Sequence, residues 1–202
     1  MNDPIVEYQR RYESFLRTIA ANLQALLQGH LADVAHIDRI SARAKDPARF
    51  AQKARKTGED GQPKYRRPLT EIQDQIGARV IVFYLHDVSA VTNVINRYFR
   101  PIEQKELVPE SEWTFGYFGK HFVLALPGDV IPNGVNPAEV PRFFELQIKT
   151  LFQHAWSEAE HDLGYKAPKK LSGDQFRRLA YTAAQAWGAD RVFEELRGEL
   201  HS

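Results

Sequence analysis

Five groups of residues have types and spacings that can do chemistry. In SARAKDPARFAQKARK (41–56), Arg43 and Lys45 alternate on one side of an extended segment, while Arg49, Lys53 and Lys56 recur at i, i+4 and i+7 on a helical face. Such guanidinium and ammonium groups can converge on a phosphate chain, and they can equally make an ordinary solvated basic helix. Asp74 stands just ahead of a strongly apolar strand. There a carboxylate can hold Mg²⁺, or it can cap a turn and pair with Arg79. In FFELQIKT (143–150) the period of two puts Glu145, Gln147 and Lys149 on one face and Phe144, Leu146 and Ile148 on the other. If the strands are neighbours, Glu145 and Asp74 make a two-carboxylate metal site. In GYFGKH (116–121) two glycines let a ligand approach the backbone, Tyr117 can stack on a base, and Lys120 or His121 can reach phosphate; glycines and aromatics also merely start strands. The GxxxxGK[ST] spacing of a P-loop is missing. His154, Glu158 and His161, at i, i+4 and i+7, form a rival set that can grip zinc from one helix, although the HExxH spacing of zinc proteases is absent.

The elements that must position these groups are readable from periodicity. A stripe from Val6 to Leu27 predicts an N-terminal helix over about 5–28 that Gly29 ends. Val34 to Ala44 reads as extended, and Asp46 with Pro47 starts a basic helix running to about Lys56. A loop of glycine, proline and charge leads to a short helix over Leu69 to Ile76, then to the firmest strand, Ala78 to Tyr84. Asp87 reads as the cap of a helix that Pro101 stops. Strands near 102–107, 117–126 and 142–149, an exposed connection over 127–141 and helices over about 151–165 and 174–198 complete the chain. The expectation is an α+β fold, with a mixed sheet of about five strands covered by helices in one domain over 1–202. The 202 residues are 43% hydrophobic, enough for a full core, and the net charge of +1 means that phosphate binding has to be local. The chain has no cysteine, so disulfides, thiolate nucleophiles and Cys-based metal sites are excluded. The scattered charges at the N-terminus and the lack of a long apolar run lead to the expectation of a cytoplasmic protein without a membrane span.

Taken in order, the same groups resemble the motifs of the RelA/SpoT synthetase domain, the family that makes the alarmones pppGpp and ppGpp. RAK (43–45) with Lys53 is similar to the family's RxK…K element, and DQIGAR (74–79) to DxxGxR. Gly116 and Tyr117 with His121 resemble GYxSxH, ELQIKT (145–150) resembles ExQIRT, and WSEAEHDLGYK (156–166) resembles WAxxEHxxxYK. The likeness spans about 34–168 and implies a nucleotidyltransferase-like fold. It implies an ATP-dependent, Mg²⁺-requiring pyrophosphokinase in which the 3′-hydroxyl of GDP or GTP attacks the β-phosphate and AMP leaves. By the same resemblance, Asp74 and Glu145 are catalytic and bind the metal, Glu145 as a ligand or as the group that orients and deprotonates the hydroxyl. Arg43, Lys45, Lys53 and Arg79 bind ATP. Tyr117, Lys120, His121, Gln147, Lys149 and His161 line the acceptor side. The chain departs from the pattern at Gly119, where the family has serine, at Lys120 and at Lys149, where it has arginine. Glu110 and Glu112 stand in a loop where relatives carry lysines, which repels a di- or triphosphate acceptor. Toxin-type relatives that pyrophosphorylate the tRNA 3′ end or adenine nucleotides, with an antitoxin partner, fit the same chemistry. A binding protein that has lost catalysis is the alternative of another class, and a homo-oligomer built on the terminal helices is a further expectation.

Overall fold

The computed structural model describes residues 3–106, 116–117, 119–165 and 171–201. Five strands form one sheet in the order β1-β2-β5-β4-β3: β1 (Ile37–Ala44), β2 (Ile76–Val82), β3 (Pro101–Glu106), β4 (Lys120–Ala125) and β5 (Phe143–Thr150). Only β2 and β5 run parallel, because helix α5 (Leu85–Tyr98) carries the chain across the sheet; the other neighbours are antiparallel. The expected mixed sheet covered by helices is therefore the architecture found.

Alternation along β2 and β5 divides the sheet into two faces. Ala78, Val80 and Val82 with Phe144, Leu146 and Ile148 are buried in the main core, where α2 (Arg17–His30) packs on β1 and α5 on β5. The polar residues between them look the other way. The N-terminal helix is α1 (Pro4–Arg11), a single π turn (Tyr12–Leu16) and α2, with the apolar stripe buried as its spacing predicts. Asp46 caps α3 (Pro47–Ala54), its carboxylate accepting from the Arg49 N–H at 3.1 Å.

Several boundaries differ from the sequence reading: the strand expected over Ala78–Tyr84 is Ile76–Val82, and that expected over 117–126 is Lys120–Ala125. The segment before β1 turns at His36, whose φ of 59° takes it out of the extended region, so the strand starts at Ile37. The short helix expected over 69–76 is α4 (Pro68–Glu71) followed by a 3₁₀ turn (Gln73–Gln75), and Ile76 already belongs to β2. Asp87 is not the cap of α5; it lies inside the first turn, buried, and accepts from the Tyr84 N–H at 3.1 Å. The connection 127–141 is also less exposed than its composition suggests, since Val130 and Val140 are buried against the core. After β5, α6 (Leu151–Glu160) ends in a π turn (His161–Tyr165), and α7 (Gly173–His201) closes the chain. Among the described residues no helix is long and apolar enough to cross a membrane.

Candidate active site

Strand register assembles the site. Arg43 of β1 pairs with Gly77 of β2, which pairs with Glu145 of β5; one step on, Arg79 pairs with Gln147, which pairs with His121 of β4. Two rows of polar side chains thus cross the face that the helices leave open, and Gly77 adds no side chain between Arg43 and Glu145. A cavity of about 420 Å³ lies over these rows, lined by Arg43, Lys45, Arg49, Asp74, Arg79, Glu145 and Gln147. A second cavity of about 390 Å³ shares Asp74 and Glu145 with the first and is walled by Lys53, His121, Tyr65 and Glu103. The two carboxylates therefore sit on the boundary between a basic compartment and a mixed one.

Asp74 is gripped by two ammonium groups, Lys45 at 2.8 Å and Lys53 at 3.0 Å. Burial pushes its carboxyl up, but the hydrogen bond and charge of Lys45, then those of Lys53, outweigh that and hold it below the usual carboxylate range. Glu145 is also held low, first by the hydrogen bond from His121, whose Nδ1 is 3.2 Å from Oε1; burial and the charge of Asp74 oppose this. Gln147 donates to the same oxygen at 3.4 Å. Among the described residues, Gln147 Oε1 and His121 Nε2 are buried without a hydrogen-bond partner, while Asp74 Oδ1 is engaged by Lys53. Two carboxylates held in the ionised range and the unsatisfied Gln147 oxygen in one cleft are a donor set that suits a hard dication such as Mg²⁺.

Of the residues singled out in the sequence, Arg43, Lys45, Lys53, Asp74, Arg79, His121, Glu145 and Gln147 meet here. Arg79 does not pair with Asp74. It reaches α6 instead, 2.9 Å from Glu158 and 3.4 Å from His154 Nδ1. That arrangement removes the zinc reading, because His154 and Glu158 already face a fixed cation and His161 lies on the π turn beyond. Lys149 is buried rather than facing the cleft, donating to Ser157 Oγ at 2.8 Å; burial, then the Arg79 charge, brings its ammonium down to about 8. Tyr117 is also away from the cleft, packed with Trp156 and Ala183 in a second apolar cluster, its hydroxyl donating to Asp190 Oδ2 at 2.5 Å. Lys120, which opens β4, and His161 line neither cavity. Glu110 and Glu112 lie outside the described residues.

The sequence reading missed Tyr8 and Tyr12. Tyr12 lines the basic cavity, and Tyr8 stacks on Phe50 at 3.7 Å while its hydroxyl donates to the Lys45 carbonyl at 2.8 Å. Tyr12 reads as one apolar position of the helix stripe and Tyr8 is not singled out, and nothing in the spacing reveals that this helix passes under the cleft.

Residues 42–170 match the family described as a region found in RelA / SpoT proteins. The chain belongs to the RelA/SpoT family. It is 26% identical over 205 residues to the GTP pyrophosphokinase YjbM of Bacillus subtilis (strain 168), covering 95% of this chain and 90% of that one. The crystal structure of small alarmone synthetase 1 from Bacillus subtilis superposes with a TM-score of 0.71 at 25% identity, over 98% of this chain and 95% of that one. A GTP pyrophosphokinase family protein from Streptococcus pneumoniae, 22% identical, shares the fold with a TM-score of 0.75 over 96% of this chain and 95% of that one. Against this RelA/SpoT background the departure at Gly119 has a steric cause. A Cβ there would lie 2.2 Å from the Ile148 carbonyl oxygen, so the serine of the family pattern has no room.

Proposed function

We propose that this RelA/SpoT chain is a Mg²⁺-dependent pyrophosphokinase that transfers the β,γ-pyrophosphate of ATP to the 3′-hydroxyl of GDP or GTP, releasing AMP. The observation that carries the reading is the position of Asp74 and Glu145 on the boundary of two adjoining cavities, the first of them walled by Arg43, Lys45, Arg49 and Arg79. The name of its YjbM relative, GTP pyrophosphokinase, supports the guanine acceptor.

The basic compartment suits the triphosphate of ATP, since forked guanidiniums and point-charge ammoniums neutralise phosphate oxygens that would otherwise repel an incoming nucleophile. Lys45 and Lys53 both pair with Asp74 and leave the trio with a net positive charge; phosphates drawing them away free that carboxylate for a cation. Asp74 and Glu145 would hold the Mg²⁺, which when bound neutralises charge on the transferring phosphates. The acceptor hydroxyl approaches from the His121 side. A general base works best with an affinity for protons near the operating pH, and His121 holds Glu145 below even the ordinary carboxylate range. In this reading Glu145 is a ligand and an acceptor that aims the hydroxyl; as the hydroxyl oxygen bonds the β-phosphorus and the bond to AMP breaks, the proton is released to solvent. Most of the rate enhancement comes from positioning and charge neutralisation.

The test follows label from γ-labelled ATP with Mg²⁺ and, separately, GDP, GTP, ATP or deacylated tRNA. The expected result is label on GDP or GTP with stoichiometric AMP. Label on ATP or tRNA instead would place the chain with the toxin-type enzymes, and binding without transfer would mark it as a nucleotide-binding regulator. Asp74→Asn and Glu145→Gln are each expected to lower transfer at least 100-fold with unchanged circular dichroism, in line with the roughly 10²–10³ lost when one transition-state charge contact is removed. Full activity in either variant would overturn the assignment of the centre.

A further inference from the structure

A second side-chain cluster lies at the far end of β1. Arg43 and Lys45 sit where β1 ends, while His36 immediately precedes its start; eight extended residues separate the two by roughly 25 Å. Here His36 Nδ1 lies 3.2 Å and His86 Nε2 lies 2.9 Å from one oxygen, Asp87 Oδ1, and all three atoms fall within 4.8 Å of one another. Among the described residues no other group of three His, Asp or Glu ligand atoms converges this closely.

Three features distinguish this from an ordinary hydrogen-bonded histidine. The first is spacing: two ligand atoms each 2.0–2.1 Å from a tetrahedral ion are about 3.3 Å apart, close to both observed edges. The second is the surrounding layer. His86 turns its other nitrogen to Glu194 of α7 at 2.9 Å, the carboxylate-histidine arrangement that orients and sharpens a metal-bound imidazole, and the second oxygen of buried Asp87 is fixed by the Tyr84 N–H at 3.1 Å. The third is strain. His36 is the one described non-glycine residue at positive φ, 59°, a conformation that costs about 1–2 kcal/mol, and its carbonyl is held by the Phe83 N–H at 3.0 Å. Both imidazoles remain 34% exposed, which leaves an approach for an ion and a position for water.

We propose that His36, His86 and Asp87 form a binding site for a zinc-class dication, with Glu194 as the outer partner of His86. Two imidazoles and one carboxylate suit Zn²⁺ or Co²⁺, whereas Mg²⁺ takes an all-oxygen shell, so the site is chemically separate from Asp74 and Glu145. The ion joins the lead-in to β1, the first turn of α5 and, through Glu194, helix α7.

The experiment titrates Co²⁺ into metal-free, tag-free protein and follows the visible d–d absorption of four-coordinate Co²⁺, then adds Zn²⁺ and, separately, Mg²⁺. The expected result is a stoichiometric band that Zn²⁺ abolishes and excess Mg²⁺ does not, present also in Asp74→Asn and Glu145→Gln. His36→Asn, which keeps a residue tolerant of positive φ, and His86→Gln should each lose the band while their metal-free melting temperatures stay within a few degrees of the parent. Glu194→Gln should weaken affinity by roughly 10–100-fold. A featureless titration of the parent, or a band that survives both His36→Asn and His86→Gln, would sink the proposal.

Discussion

His121 and Glu145 show what a single contact does to a side chain: the imidazole 3.2 Å away, with its hydrogen bond, holds the carboxyl below the usual carboxylate range. Lys149 shows the reverse case, a cation placed where charge is disfavoured. Its folded-state value of about 8 lies below the ordinary 10.5, so between those limits the folded chain has given up a proton that the unfolded chain still holds. Stability therefore rises with pH across this window and is flat below it. The full span corresponds to about 3 kcal/mol. Urea denaturation of the parent and of Lys149→Met from pH 7.5 to 10.5 should show the parent gaining on the variant by about that amount. Parallel curves would mean that Lys149 is not desolvated as its contact with Ser157 indicates.

At the level of elements, β4 lies so close to β5 at its entry that Gly119 is a structural requirement. A methyl there meets the Ile148 carbonyl oxygen at 2.2 Å and the Lys149 side chain at 2.5 Å. Gly119→Ala should cost about 1–3 kcal/mol by overpacking and lower the melting temperature by several degrees, read by differential scanning calorimetry. An unshifted transition would mean that the entry is free to move. The same strands explain what was legible in the sequence. A β-branched and aromatic run gave β2 and period-two alternation gave β5, each within a few residues, and the alternation correctly grouped Glu145 with Gln147, because a strand with one polar face preserves that signal. It also put Lys149 on that face, and there α6 covers it, so the open part of the face ends before Lys149. Asp74, Lys45 and Lys53 were nameable, but their mutual ion pairs were not, because they join elements some 20 to 30 residues apart in the chain. His36 was invisible for a different reason: no pattern announces one left-handed residue.

Across the whole molecule, α7 ties the segment of Tyr117 to the end of the sheet. Asp190, 1% exposed, accepts from Tyr117 at 2.5 Å and from the Thr150 hydroxyl, at the end of β5, at 2.6 Å. Burial, against these two hydrogen bonds, leaves its carboxyl above the usual range. If Tyr117 stacks on the acceptor base, its ring has to leave the cluster with Trp156 and Ala183 and give up the bond to Asp190. A hydrogen bond to such a group is worth about 1–3 kcal/mol, and each 1.4 kcal/mol is a factor of ten in a binding constant. Only the fraction of molecules with the ring released would bind acceptor, and the apparent affinity falls by that fraction. Asp190→Ala removes the anchor and should lower the KM for GDP or GTP by roughly 5- to 100-fold, leave the KM for ATP unchanged and reduce stability by about 1–3 kcal/mol. An acceptor KM that stays constant or rises would assign Tyr117 to packing α7 on the sheet and leave acceptor recognition to the residues that line the His121 cavity.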